Sequence, residues 1–150
     1  MSYADSRAES RWRFDRLMTS GKEYFVSSVL GSATNDGKSW GKAKATIAQA
    51  LALCAASDTI YVAEDHAETI VAAAGIDLNV AGVTVIGLGR GSRRPTITLS
   101  TLTTATFKIS AANVLVRGFR FVNAIDSLVK VIDVGANFFT GEDLDFVGAS

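Results

Sequence analysis

The chain has 150 residues, and its 15 Lys and Arg balance its 15 Asp and Glu to a formal net charge of zero. That balance excludes a protein whose main task is to hold nucleic acid or an anionic membrane by net charge. With 48% hydrophobic and 20% charged residues, the composition is that of a globular domain and not of a disordered segment.

The N-terminal segment 1–22 is charged and is too polar for a secretory signal. Phe14, Leu17 and Met18 have the i, i+3, i+4 spacing of a helix face. Because acidic residues leave the segment only slightly positive, its arginines and aromatics favour protein docking over nucleic-acid binding. The alternative is a terminus that is tied down by its own aromatic side chains. We predict a docking arm at 1–22 with the contact residues Arg7, Arg11, Trp12, Arg13, Phe14, Arg16 and Leu17.

Residues 23–58 are predicted to hold one strand and one helix. The run 24–26 favours a strand, and the run 31–37, rich in Gly, Asn and Asp, favours a turn. The run 45–56 is rich in helix-forming residues and has an apolar stripe of Ile47, Ala50, Leu51 and Cys54. As the only cysteine, Cys54 excludes an internal disulfide and a cysteine-based zinc site, and it is predicted to pack as a small apolar group.

From Thr59 onward the sequence changes to short β-branched runs separated by Gly, Asn, Ser and Ala. Their alternation of apolar and polar residues predicts short strands, and no helix-length window follows residue 58. The predicted strands lie at 59–62, 76–78, 83–86, 96–99, 107–109, 114–116, 119–121, 129–131 and 144–146.

The strands form an internal repeat. The pattern Ile76-x-Leu78 recurs first as Phe107-x-Ile109 and then, after a slightly shorter interval, as Ile132-x-Val134. The following strand keeps both intervals, at Val83, Val114 and Phe139. Offsets shared by separate strands indicate a parallel β-helix, in which each coil of roughly 25 to 31 residues stacks on the one before.

We therefore predict a mainly β domain at 23–150, a short parallel β-helix of about three coils. The helix near 45–56 would cover the open strand edge of the first coil. The same offsets place Arg117 beside Glu142 and Arg120 beside Asp145 on the outer face. The aromatic residues predicted to point inward are Phe107, Phe119, Phe121 and Phe146.

Several segments resemble the opening of pectin-lyase-like, right-handed parallel β-helix proteins. They are YFV at 24–26, NDGKSW at 35–40, ATIAQA at 45–50 and DTIYV at 58–62. The segments that follow are similar to β-helix proteins of tailed bacteriophages, namely HAET at 66–69, GVTVIGLG at 82–89 and RRP at 93–95. The resemblance covers about residues 23–148 and implies a right-handed β-helix with a structural role in a phage particle.

The first candidate for chemistry is an acidic cluster. Enzymes with this fold cleave acidic polysaccharides with paired carboxylates, or with carboxylate-bound calcium and an arginine base. Glu142, Asp143 and Asp145 are the candidate glycan or metal site, because Asp143 and Asp145 can share one strand face. The pairing of Asp145 with Arg120 favours a solvated structural face instead. The hydrolase signatures Asn-Thr-Asp, Asp-Asp and His-Gly are absent, and RRP at 93–95 lacks the second arginine of the lyase element.

The second candidate is His66, the only histidine, within EDHAE at 64–68. A metal or acid–base site would pair it with Glu64 or Glu68. Polar side chains in a turn between strands normally face water or satisfy loop backbone, and no second histidine completes a site. A structural or surface role is therefore predicted for His66.

The run GLGRG at 87–91 has glycine spacing that is superficially like a dinucleotide-binding loop. That loop needs a following helix to receive the phosphate, whereas another strand follows here. We predict a corner between coils, on which Arg90, Arg93 and Arg94 form either a docking patch or a simply solvated surface.

These observations predict a non-enzymatic virion structural protein, either a capsid decoration, a head-fibre subunit or a tail-associated subunit, assembled in the host cytoplasm. The expected partners are other virion proteins and further copies of the chain, with a trimer expected by analogy with phage β-helix proteins. No cofactor, nucleic acid or membrane is expected. The alternative is a polysaccharide-binding or -cleaving module that acts on bacterial surface glycans.

Overall fold

A computed structural model describes residues 21–148 of the chain. This part is mainly β, with short strands, one helix and 3₁₀ turns at Trp40–Lys42 and Gly91–Arg93. The helix α1 spans Ile47–Leu51. The strands are β1 Glu23–Val26, β2 Thr59–Val62, β3 Ala67–Ile70, β4 Ile76–Leu78, β5 Thr84–Gly87, β6 Thr96–Leu99, β7 Phe107–Ile109, β8 Leu115–Arg117, β9 Arg120–Asn123, β10 Ile132–Val134, β11 Thr140–Glu142 and β12 Asp145–Val147.

The strands form three parallel sheets. Sheet A has the order β1-β2-β5-β8-β11, sheet B the order β3-β6-β9-β12, and sheet C the order β4-β7-β10. From β2 onward the chain passes through A, B and C in turn and then returns to A, so each strand pairs with strands from the previous and next passages. Parallel neighbours require such crossover connections.

The predicted offsets agree with the observed register. Phe107 lies between Ile76 and Ile132 in sheet C, and Leu115 lies between Thr84 and Thr140 in sheet A. The outer-face pairs are also confirmed, with Arg117 beside Glu142 and Arg120 beside Asp145. The repeat therefore predicted strand pairing correctly, although several strand ends differ slightly from the prediction.

Two strands were absent from the runs predicted as strands, although the repeat had marked the start of β11 at Phe139, and the strand predicted at 129–131 was wrong. Ala67–Ile70 and Thr140–Glu142 are strands β3 and β11, and the strand predicted at 129–131 lies instead at 132–134, where the offsets had placed it. β3 carries Glu68 and Thr69 at its centre, and β11 is Thr-Gly-Glu, so neither has the apolar alternation of a strand. Both are held by pairing with a neighbouring strand, which overrides weak local propensity.

Inward side chains from the three sheets form one core. Phe107 and Phe119 are fully buried, and Phe121 is almost fully buried. Phe121 contacts Phe107 in a T-shaped arrangement at a centroid distance of 5.3 Å. The core confirms the inward assignment of these three aromatics.

The end of the sheets nearest the N-terminus is covered. Residues 37–44 run along the free edge of β1, where Phe25 N–H donates to Gly37 O and Ser27 N–H donates to Lys44 O. Helix α1 packs on β1, β2 and β4 through its buried Ile47, Ala50 and Leu51. The edge donors of sheet A are therefore bound by residues 37–44 and not by the predicted helix, which packs on the apolar core beside them.

Helix α1 is shorter than the predicted 45–56. It begins after Thr46, whose hydroxyl oxygen accepts a hydrogen bond from Gln49 N–H at 3.2 Å. After Leu51 the hydrogen bonds tighten, with Leu53 N–H donating to Ala50 O, and Asp58 Oδ2 accepts from Ala55 N–H at 2.8 Å. The carboxylate of Asp58 therefore binds a backbone donor just beyond the helix, where the chain turns toward β2.

Among residues 21–148, β10, β11 and β12 form the opposite end of the sheets, which we call the open edge. Each is the last strand of its sheet. Apolar side chains at this end are exposed, namely Val129, Val134, Phe138, Phe146 and Val147. Phe146 stacks on Phe121 as the inward prediction requires, but 55% of its surface is exposed because no further described strand covers it. Phe146, which was predicted to lie in the core, is therefore only partly buried.

Candidate functional site

The docking arm predicted from Arg7 to Leu17 lies outside the described residues and stays a prediction. Lys22, which the prediction placed in the arm, is bound to the domain. Its N–H donates to Asp58 Oδ1 at 2.7 Å, and its carbonyl accepts from Thr59 N–H. The folded part of the chain therefore includes Lys22.

An arginine-lined groove lies where sheet A turns into sheet B. We call it the arginine groove. It has a volume of about 610 Å³ and is lined by the guanidinium-bearing residues Arg90, Arg94 and Arg117. Two of the three predicted patch residues, Arg90 and Arg94, contribute to it.

Glycines allow backbone segments to approach closely beside the arginine groove. Gly87 and Gly118 lie in neighbouring passages, and their backbones are so close that a Cβ on Gly87 would overlap the Gly118 carbonyl oxygen. Gly118 has φ +80 and Gly89 has φ +90, a backbone region that favours glycine. The corner predicted at 87–91 is therefore present.

Arg93 is directed away from the groove. Its guanidinium binds Glu64 at 2.9 Å and Asp65 at 2.8 Å, both on the turn between β2 and β3. The hydrogen bond from Arg93 to Asp65 raises the pKa of the guanidinium above its ordinary value. Arg93 was predicted to belong to the docking patch, but its side chain binds the turn between β2 and β3.

The acidic cluster is divided among three arginines. Asp143 accepts from Arg94 at 2.6 Å, Asp145 accepts from Arg120 at 2.9 Å, and Glu142 lies 3.9 Å from Arg117. Each carboxylate therefore faces a guanidinium, which is the arrangement of a structural surface and not of a catalytic carboxylate pair.

His66 is buried, which contradicts a solvent-facing position and supports the predicted structural role. Only 1% of its surface is exposed. Ser28 N–H donates to His66 Nδ1 at 2.9 Å, so the ring proton lies on Nε2, which donates to Glu68 Oε2 at 2.7 Å. The same carboxylate oxygen accepts from Ile47 N–H at 2.8 Å. His66 and Glu68 therefore join the loop after β1, the start of α1 and strand β3.

Cys54 is partly buried, and its Sγ–H donates to Ala50 O at 3.4 Å. Burial, with a smaller effect of the nearby Asp58 carboxylate, raises the pKa of the thiol to about 12. Because the thiolate is the nucleophilic form, this environment suits packing and not catalysis, as the sequence predicted.

An outward-facing row of side chains was missed from the sequence. Phe25, Tyr61, Ile86 and Arg117 occupy one row across sheet A. Phe25 stacks on Tyr61 at 5.7 Å and contacts Trp40 edge to face at 4.8 Å. Tyr61 and Ile86 have the same separation in the sequence as Phe107 and Ile132. The repeat could therefore have predicted that Tyr61 and Ile86 are neighbours in this row.

Across residues 21–148, no three His, Cys, Asp or Glu side chains are grouped so that they could hold a metal ion. No helix in the same range is long and apolar enough to cross a membrane. Comparison with protein families, with curated proteins and with solved structures finds no match for the chain.

Proposed function

We propose that the chain is a non-enzymatic structural module of a tailed-bacteriophage particle, built as a short right-handed parallel β-helix. The path through sheets A, B and C, with a return to A after each passage, supports the β-helix. The bacteriophage role rests on the sequence resemblance at 24–95. The proposed partners are other virion proteins, bound through the N-terminal arm, and further copies of the chain.

The observation that carries this proposal is the open edge. Unpaired strand edges with exposed apolar side chains invite another chain to pair or pack there. Phe138 is 77% exposed and Phe146 is 55% exposed, both at this end.

We propose that a second copy of the chain covers the open edge. The covered end at β1 offers no free strand edge in sheet A among the described residues, because residues 37–44 occupy it. Two copies can therefore meet through their open edges but cannot stack head to tail through sheet A. Such a self-complementary contact closes after two subunits, whereas the trimer expected by analogy would join copies side by side.

The candidate catalytic side chains already bind other groups of the chain, and this favours a structural role. The carboxylates of the acidic cluster face arginines, and His66 is buried against Glu68 and the backbone of Ser28. Each group thus already has a structural partner in the folded chain.

The test is association with phage particles. Purified particles from a culture that carries the gene are labelled with an antibody to the chain and viewed by electron microscopy. We expect label at a fixed position on each particle. A protein found only in the particle-free fraction contradicts the proposal.

The arm is tested by deletion of residues 1–20, which leaves Lys22 and its hydrogen bonds to Asp58 and Thr59 in place. The truncated protein should keep its β-rich circular dichroism spectrum but no longer join particles. An unfolded product, or one that joins particles as well as the full chain, refutes a role for the arm in docking.

A further inference from the structure

A column of residues with a left-handed backbone conformation runs along one corner of the sheets. From β2 onward, the residue two positions before the first residue of each sheet A strand has a positive φ. The members of this corner column are Ser57 (φ +68), Gly82 (φ +71), Asn113 (φ +59) and Phe138 (φ +60). The register of sheet A places them at equivalent points of successive passages.

Backbone hydrogen bonds follow the corner column in one direction. The N–H of each earlier member donates to the carbonyl just before the next member. Thus Gly82 N–H donates to Ala112 O at 2.9 Å, and Asn113 N–H donates to Asn137 O at 3.1 Å. Among residues 21–148, Phe138 N–H has no hydrogen-bond acceptor, because no described passage follows it. The column therefore ends in a free donor at the open edge.

Phe138 is also an unfavourable residue for this position. Gly and Asn adopt a positive φ readily, whereas the conformation crowds the Cβ of a bulky residue. The Phe138 side chain is 77% exposed, so packing within the described chain compensates little for this strain. Its neighbour Phe139, by contrast, packs against the core. A phenylalanine thus stands where the preceding passage has the better suited Asn113.

Another strand edge would satisfy both parts of Phe138. A backbone carbonyl would accept its N–H, and apolar side chains beside that carbonyl would bury its ring. The open edge of a second copy offers unpaired strand backbone together with the exposed Val134 and Phe146. A second copy therefore has the groups that Phe138 lacks in the single chain.

The charges of the last passage permit this contact. Residues 124–148 contain five acidic residues and one lysine, an excess that would repel a second copy. Four of the acidic residues, however, face a basic side chain of their own chain. These pairs are Asp133 with Lys130, Glu142 with Arg117, Asp143 with Arg94 and Asp145 with Arg120. Two open edges can thus meet with most of their negative charge already paired.

We propose that Phe138 is the anchor residue of the contact between two copies of the chain. Its N–H donates to a backbone carbonyl of the second copy, and its ring is buried among the apolar side chains of that copy's open edge. This inference rests on the proposed pairing through the open edge and adds the residue that dominates its affinity, as buried aromatic anchors do in other interfaces.

The test measures association and stability in the same variant of the full chain. Phe138→Asn restores the residue type found at Asn113, so it should relieve the strain and raise the urea midpoint of the monomer. The same change removes the ring and should weaken dimerisation about tenfold or more in sedimentation equilibrium. A residue that only supported the fold would lower the urea midpoint instead.

Two further variants separate the ring from general loss of apolar surface. Phe138→Tyr keeps an aromatic ring and should dimerise like the parent chain. Leu30→Asn is the matched control, because Leu30 is 71% exposed but lies in the loop after β1 and has no positive φ. It should leave both dimerisation and the urea midpoint close to those of the parent chain.

The outcomes distinguish this inference from the pairing on which it rests. A parent chain that dimerises and a Phe138→Asn variant that dimerises equally well would refute the anchor role and leave the pairing in place. A lower urea midpoint in Phe138→Asn, or equal weakening in Leu30→Asn, would also refute the anchor role. A parent chain that stays monomeric at every concentration would refute the pairing itself.

Discussion

Single residues in the core and on the outer face differ sharply in what they contribute to stability. Phe107 is fully buried, so Phe107→Ala should reduce the free energy of unfolding by about 3–5 kcal/mol. Arg120 and Asp145 are partly exposed, and loss of their ion pair in Arg120→Ala should cost less than about 1 kcal/mol. Urea denaturation followed by circular dichroism measures both. The reverse ranking would contradict the inward and outward assignment of these strands.

Cys54 provides a pH-dependent prediction. Burial raises the pKa of its thiol from 9.0 to about 12, so between these values the unfolded thiol ionises while the folded thiol stays protonated. Its contribution to stability is therefore fully present below pH 9 and is lost as the pH rises through 12. We expect Cys54→Ala to reduce the loss of stability between these pH values, measured by urea denaturation. An unchanged alkaline slope would show that Cys54 does not cause it.

His66 shows why part of the site could not be predicted from the sequence. Its neighbours Glu64, Asp65 and Glu68 give the segment the appearance of an exposed turn. The partner that buries the ring is the backbone N–H of Ser28, far away in the sequence. No periodic pattern connects these two positions, so the contact depends on the packing of the loop after β1.

At the scale of elements, the repeat was readable wherever inward side chains are large and apolar. Sheet C was predicted in full register because Ile76, Phe107 and Ile132 mark the same position in each passage. Strand β3 was missed because its residues do not alternate, and β11 was marked only by the interval to Phe139 because Thr-Gly-Glu has no apolar alternation. The sequence did not predict the arginine groove, because Arg94 and Arg117 line the same groove only when two passages are stacked.

Helix α1 has only five residues, and so it depends on its cap and its packing. Thr46→Ala removes the hydroxyl that accepts from Gln49 N–H and should reduce the free energy of unfolding by about 1 kcal/mol. The control is Thr103→Ala, an exposed loop position that should change stability little. Equal effects of the two variants on urea denaturation would mean that the cap does not stabilise the helix.

At the scale of the whole molecule, the proposed pairing through the open edge predicts a concentration-dependent dimer. Phe146→Glu places a charge among the exposed apolar side chains there and should shift sedimentation toward the monomer. Val71→Glu is the matched control, because Val71 is also half exposed but lies in the turn after β3. A parent chain that stays monomeric at high concentration, or a control that dissociates equally, would contradict pairing at this edge.

The contrast between the covered end and the open edge also gives the molecule an internal gradient of local stability. In parallel sheets built passage upon passage, each strand is held by its neighbours, and β10, β11 and β12 have a described neighbour on one side only. Opening should start there and progress toward α1, because nearest-neighbour contacts set the cost of each step. Amide hydrogen exchange on the monomer should be fastest in β10–β12, intermediate in β7–β9 and slowest in β2 and β5. Local unfolding would then begin at the open edge, and the end covered by residues 37–44 and α1 would stay folded longest.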